Sequence, residues 1–135
     1  MLLLVGDRQF MPFKIKKFLS STGLEILVGQ DDASNDYLTF RVAHANDVWF
    51  HVNGTPGSHV ILRCGDTKVQ PDKESLREAG ALAAWFSKMR TGGKVAVSYC
   101  FVKQVGKPRG MRPGKVTIKN AKKLLVRPEL LEEIK

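Results

Sequence analysis

Asn46-Asp47-Val48-Trp49-Phe50-His51-Val52-Asn53-Gly54-Thr55-Pro56-Gly57-Ser58-His59-Val60-Ile61-Leu62-Arg63 carries the sharpest alternation in this 135-residue chain. It also holds two of the three histidines and one of the two tryptophans. A β-strand sends successive side chains to opposite faces. Val48, Phe50 and Val52 are therefore expected on a core face, and Asp47, Trp49 and His51 on the other, outward face. Thr55-Pro56-Gly57 is a turn signal, because Pro presets φ and Gly permits positive φ. The chain is expected to return as a second strand from Ser58 to Arg63, with Val60 and Leu62 inward and His59, Ile61 and Arg63 outward.

A simple hairpin with Val52 opposite Ser58 pairs His51 with His59, Trp49 with Ile61 and Asp47 with Arg63. Cross-strand neighbours on one face lie about 4.5–5.5 Å apart at Cβ, so these six residues form one polar-aromatic patch. The patch has two readings. It is a stacking surface flanked by polar groups, or it is a tryptophan covering the core beside an Asp–Arg pair and two solvated histidines.

The charge is distributed unevenly. The net charge is +9, yet between Ala79 and Pro128 there is no Asp or Glu, while Lys and Arg number twelve. The rest of the chain holds ten basic and thirteen acidic residues. A basic excess confined to the C-terminal half points to an anionic partner.

Working outward, Phe18 to Val28 is expected as a hairpin with Gly23 in its turn. Asp31 to Asp36 is a helix-initiating cluster opening a short helix through Ala45, which covers one face of the sheet. After the central hairpin, Pro71-Asp72 opens a long helix over Lys73–Arg90, acidic early and basic late, apolar all round from Gly80 to Phe86, and stopped by Gly92-Gly93. Lys94 to Val105 reads as one long strand, and Lys115–Lys119 and Lys123–Val126 as two more that finish the sheet. Leu130 to Ile134 reads as a short helical tail, and Met1 to Gly6 as an edge strand or a disordered leader. The expected fold class is α+β, a mostly antiparallel twisted sheet with one long buried helix and one short helix.

Gly106-Lys107-Pro108-Arg109-Gly110-Met111-Arg112-Pro113-Gly114-Lys115 is the second informative stretch. Three glycines and two prolines hold it irregular, and four cations radiate from it with no acid in sequence to neutralise them. Phosphate binding is the expectation, with backbone N–H groups at the glycines able to assist. Cys64 and Cys100 are expected inside strands as buried free thiols, which suits a reducing, cytoplasmic setting. No CxxC or HxxxH spacing suggests a metal, no cofactor is called for, and no stretch is long enough for a membrane span.

Asp47-Val48-Trp49-Phe50-His51 followed by Pro56-Gly57-Ser58-His59-Val60 resembles the RNA-binding domain of the NFACT proteins, the NFACT-R domain. Further stretches are similar to the same family in the same order: Ser20-Ser21-Thr22-Gly23 with Ile26 to Gly29, Asn35-Asp36-Tyr37-Leu38-Thr39, Ala83 to Lys88, Lys107 to Gly110, and Pro113 to Val116. The implied organisation is an N-terminal extension at 1–16, an NFACT-R-like domain at 17–128 and a C-terminal tail at 129–135. The resemblance implies contact with ribosomal RNA or tRNA, as in the family's members in ribosome-associated quality control. The expectation is a stand-alone RNA-binding module in the cytoplasm, without the other domains of the large members.

The nucleic-acid-binding set expected from these readings is Asp47, Trp49, His51, His59, Arg63, Lys103, Lys107, Arg109, Arg112 and Lys115. Cations supply affinity through counterion release and rings supply stacking. Two other classes stand beside this one: a histidine-based RNA-processing enzyme using general acid–base chemistry, and a protein-interaction module using the basic surface. Catalysis is the less favoured, because Ser58 and His59 point to opposite faces of their strand. Duplex DNA is disfavoured because no helix is both basic and free to enter a major groove.

Overall fold

The computed structural model describes residues 12–65 and 70–134; the edge strand or leader expected at Met1–Gly6 lies outside them. A six-stranded antiparallel sheet forms the frame, built from β1 (Ile15–Leu19), β2 (Glu25–Gly29), β3 (Val48–Val52), β4 (Val60–Leu62), β5 (Val95–Phe101) and β8 (Lys122–Val126), in the order β1-β2-β4-β3-β5-β8. The α+β class stands.

The central hairpin has the expected register. Val48 pairs with Leu62, Trp49 with Ile61 and Phe50 with Val60. Strand alternation then builds two cores instead of one. Ile26, Val28, Val48, Phe50, Val52, Val60 and Leu62 pack with Ala79, Leu82, Ala83 and Ala84 of helix α2 (Lys73–Trp85). On the opposite face, Leu27, Trp49, Ile61 and Cys100 pack with Leu38, Val102 and Val105. That face, expected to be outward, is covered by α1 (Asp32–Tyr37) with the π-helical turn Leu38–Val42 that continues it, and by the segment after β5. Asp31 caps α1, accepting from the Ser34 N–H at 2.8 Å.

Helix α2 is shorter than expected. It begins as read, with Asp72 accepting from the Ser75 N–H at 2.9 Å, but ends at Trp85, well before Gly92-Gly93. Phe86 turns out of the helix so that its carbonyl accepts from the Ser58 N–H at 3.1 Å, and Ser87 bridges Gly57. A Cβ on Gly57 would meet Ser87 Cβ at 3.0 Å and Val52 Cγ2 at 3.1 Å. Glycine in the Pro56-Gly57-Ser58-His59 turn is thus required by close approach to the helix end.

The strand expected over Lys94–Val105 is broken. At Val102 the chain enters a 3-10 turn (Val102–Gln104), because the Val102 and Lys103 N–H groups turn to the Asp47 and Ala45 carbonyls and Gln104 Oε1 accepts from the Phe101 N–H at 3.0 Å. The chain then forms β6 (Val105–Gly106), which pairs with β7 (Thr117–Ile118) as a separate two-stranded ribbon. Only β8, of the two last strands, joins the main sheet, beside β5. Cys64 lies just past β4 rather than inside a strand and is half-buried, while Cys100 is buried within β5.

The tail is extended, not helical. Glu133 bridges Phe18, and the Ile134 N–H donates to the Lys17 carbonyl at 2.8 Å, satisfying the free edge of β1 where a helix would leave it open. Among the described residues no helix is long and apolar enough to cross a membrane, and no cluster of three or more His, Cys, Asp or Glu could hold a metal ion.

Candidate nucleic-acid interface

Trp49 sits in the second core at 3% exposure. Its ring stacks on His51 with centroids 5.9 Å apart and meets the His59 ring edge-on at 5.3 Å, while the two imidazoles lie 5.7 Å apart. The residues expected to share this face do so, but only His51 among Trp49, His51 and His59 is partly open to solvent. The covering helix is what makes the difference, and the tryptophan is a core side chain.

Asp47 is fully buried. Its carboxylate accepts from the Cys64 N–H at 2.8 Å and the His44 N–H at 2.8 Å, with Arg63 Nε at 3.8 Å. It clamps the entrance of β3 to the exit of β4 and orients Arg63 from inside, so the carboxylate is not presented to a ligand.

His59 is the anchor of the basic loop. Its Nε2 lies 3.2 Å from the Gly114 carbonyl and its Nδ1 2.9 Å from the Thr39 hydroxyl. A carbonyl only accepts, so the proton is on Nε2 and Nδ1 receives the hydroxyl hydrogen. Burial, with His51 alongside, lowers its pKa to about 4. At neutral pH it is uncharged and committed at both nitrogens. Burial likewise lowers the pKa of His51, whose Nδ1 donates to the Val52 carbonyl at 2.6 Å.

Asp36 grips the same loop from the helix side. Its Oδ1 accepts from the Gly114 N–H at 3.0 Å, and Lys107 Nζ lies 3.2 Å from Oδ2. Lys107 also donates to the carbonyls of Arg112 and Lys115. Gly114 is therefore held at both its N–H and its carbonyl, with a φ of +82 that L side chains rarely adopt. The expectation that four cations radiate from this loop needs correcting for one of them. Lys107 is turned inward and neutralised by Asp36, an acid distant in sequence, and acts as the loop's internal strut.

Arg109, Arg112 and Lys115 are exposed, as is Lys103, which donates to Asn46 at 3.3 Å and lies over the Phe101 ring. Among the described residues, all of the twelve cations between positions 79 and 128 except Lys107 are exposed, and none but Lys107 forms an ion pair with a carboxylate.

Reading the sequence missed Asn35, Asp36 and Thr39. They enter the sequence reading as a helix start and as part of a family-like stretch but not as site residues, yet Asn35 Oδ1 accepts from the His59 N–H at 3.0 Å, and Asp36 and Thr39 complete the anchor. The signal was the crowding of side-chain acceptors at 35, 36 and 39 of one helix, more than capping requires. Between the Asn53–Gly57 turn and the Pro113–Val116 segment opens a cleft of about 490 Å³, with Trp49 and His51 among its walls.

A profile described as the NFACT protein RNA binding domain matches residues 11–120. The chain is 39% identical over 115 residues to the Rqc2 homolog RqcH of Bacillus subtilis (strain 168), covering 85% of this chain and 20% of that protein. It is 37% identical over 117 residues to the Rqc2 homolog RqcH of Streptococcus pneumoniae serotype 2, covering 86% of this chain and 21% of that one. The chain thus spans about a fifth of the length of these relatives. Among solved structures, the C-terminal part of the fibronectin/fibrinogen-binding protein from Streptococcus suis superposes with a TM-score of 0.79 at 38% identity, over 86% of this chain and 46% of that one.

Proposed function

From the premise that this chain belongs to the family of NFACT RNA-binding domains, we propose that it binds RNA through the exposed cations of its C-terminal half, with ribosomal RNA or tRNA as the partner. One observation carries the reading: eleven exposed cations, unpaired with any carboxylate among the described residues, of which Arg109, Arg112 and Lys115 stand on a loop pinned by the neutral His59 and by Asp36. Cations held on a rigid support release counterions on meeting phosphates without first paying to be ordered.

Arg109, Arg112 and Lys115 are the primary phosphate contacts and Lys103 extends them. His59, Asp47 and Lys107 act by positioning, and Arg63 lines up on Asp47. The similarity to Rqc2 homologs supports a place on the ribosome, and hence in the cytoplasm. A histidine-pair enzyme is poorly served, since His59 is uncharged and bonded at both nitrogens.

The test is fluorescence anisotropy with single-stranded RNA across salt. Affinity should fall by about tenfold or more between about 50 and 200 mM salt if three phosphates are contacted. Arg109→Glu, Arg112→Glu and Lys115→Glu together should remove most of the binding at an unchanged melting temperature. Salt-independent binding, or full affinity in the triple variant, rejects the reading.

A further inference from the structure

We infer that the cleft between the Asn53–Gly57 turn and the Pro113–Val116 segment receives a single unstacked nucleobase of the bound strand. The inference rests on the RNA-binding reading above and names what this part of the surface takes.

The cleft's volume of about 490 Å³ lies within the range of small-molecule sites. Its charge sets it apart from its surroundings. In a chain of net charge +9, the only fully charged side chains lining it among the described residues are Asp32 and Lys115, one of each sign. Phosphates are better served by the exposed cations outside. A near-neutral cleft with mixed lining suits a flat, uncharged heterocycle that offers both donors and acceptors.

The walls match that ligand. Pro56 and Pro113 give apolar surfaces from the two turns, and Asn53 and Ser98 give polar ones, with the Ser98 hydroxyl 3.3 Å from Asn53 Oδ1. Trp49 adds an independent observation. It lines the cleft, it is almost wholly buried, and its indole N–H is the one buried side-chain donor without a partner among the described residues. A buried donor left unpaired is costly. The N–H is closed off from solvent, so a ring nitrogen or carbonyl of a base in the cleft satisfies it once the wall beside the indole gives way on binding. Unstacked bases held on ring surfaces and read along their polar edges are the usual targets of single-stranded RNA recognition. Lys115 at the rim stands ready for the phosphate of the same nucleotide.

The experiment uses the Trp85→Phe chain, so that Trp49 is the only tryptophan. Adenosine, guanosine, cytidine and uridine are titrated separately, with inorganic phosphate as the control. A saturable change in Trp49 emission with at least one nucleoside, and none with phosphate, is expected. In a second arm, an RNA decamer and a decamer of the same length lacking all bases are compared by anisotropy. The intact strand should bind about tenfold more tightly. In Asn53→Ala that ratio should fall toward one, while the salt dependence stays as it was. Emission that responds only to phosphate, or responds to nothing, together with equal affinity for the two strands, overturns the base assignment. Loss of binding to both decamers at low salt would reject the RNA reading itself, and a nucleoside response of Trp49 would still uphold the cleft.

Discussion

The Trp49–His59 face of the sheet and the Gly106–Lys115 loop meet at Gly114 and are built on opposite principles. The face is buried and neutral: its aspartate is clamped by backbone donors, one imidazole is bonded at both nitrogens, and its tryptophan is enclosed. The loop exposes Arg109, Arg112 and Lys115 and keeps only Lys107 for itself. Like charges repel, so a loop of this composition does not hold one shape unaided. The neutral face and Asp36 supply the shape and the loop supplies the charge. The comparison teaches that in a binding domain one motif can carry most of the support and another most of the charged contact.

The largest expected effect on stability falls on the support. Trp49→Ala removes a buried ring and should cost about 3–5 kcal/mol in denaturant unfolding. A loss below about 1 kcal/mol would place the ring outside the core and dissolve the contrast between the two regions.

Acid attacks the same region next. His59 titrates near 4 in the fold against 6.5 when unconstrained. Its folded pKa is lowered, so below pH 6.5 the unfolded chain takes up a proton that the native state refuses. Stability should be flat above that pH and decline by about 3 kcal/mol as pH falls to 4. His51, shifted in the same direction by burial, adds to the same slope. His59→Gln should flatten the curve in melting experiments between pH 7.5 and 4.5, and an unchanged slope would remove His59 from the account.

Asp36→Ala tests the joint between the two regions. It leaves the Gly114 N–H and Lys107 without their carboxylate and should cost about 1–2 kcal/mol. RNA affinity should drop as well, although an acid has been removed from a basic protein. A rise in affinity would mean that charge alone, without the anchored shape, governs binding.

The smallest effect on stability belongs to the contact side. Arg109→Ala and Arg112→Ala should each stay within about 0.5 kcal/mol of the parent, while each lowers the steepness of the salt dependence. A substantial loss of stability in either would make the loop part of the support.

Much of this fold is legible along the chain. The hairpin register followed from strand alternation and the Pro-Gly turn, and came out with Trp49 opposite Ile61. The Asp72 cap and the Gly23 turn followed from local backbone preferences. What was misread shares a cause. The strand break at Val102, the end of α2 at Trp85 and the extended tail at Glu133 each depend on backbone groups far away in sequence: Asp47 and Ala45, Gly57 and Ser58, Lys17 and Phe18. No local pattern announces such partners.

The sequence by itself determined the strands of the central hairpin, their register, the two capped helices and the gathering of cations in one half. These are properties of neighbours along the chain, governed by alternation, turn chemistry and composition. Only the tertiary structure decided which face of the hairpin would see solvent, and which cation of the loop would be spent inside. Alternation fixes that Trp49 and Phe50 point opposite ways but not what lies beyond each, because burial is set by whichever element packs there. For Trp49 that element is the Asp32–Val42 helical segment. The same segment brings Asp36 within 3.2 Å of Lys107 across 71 residues of chain.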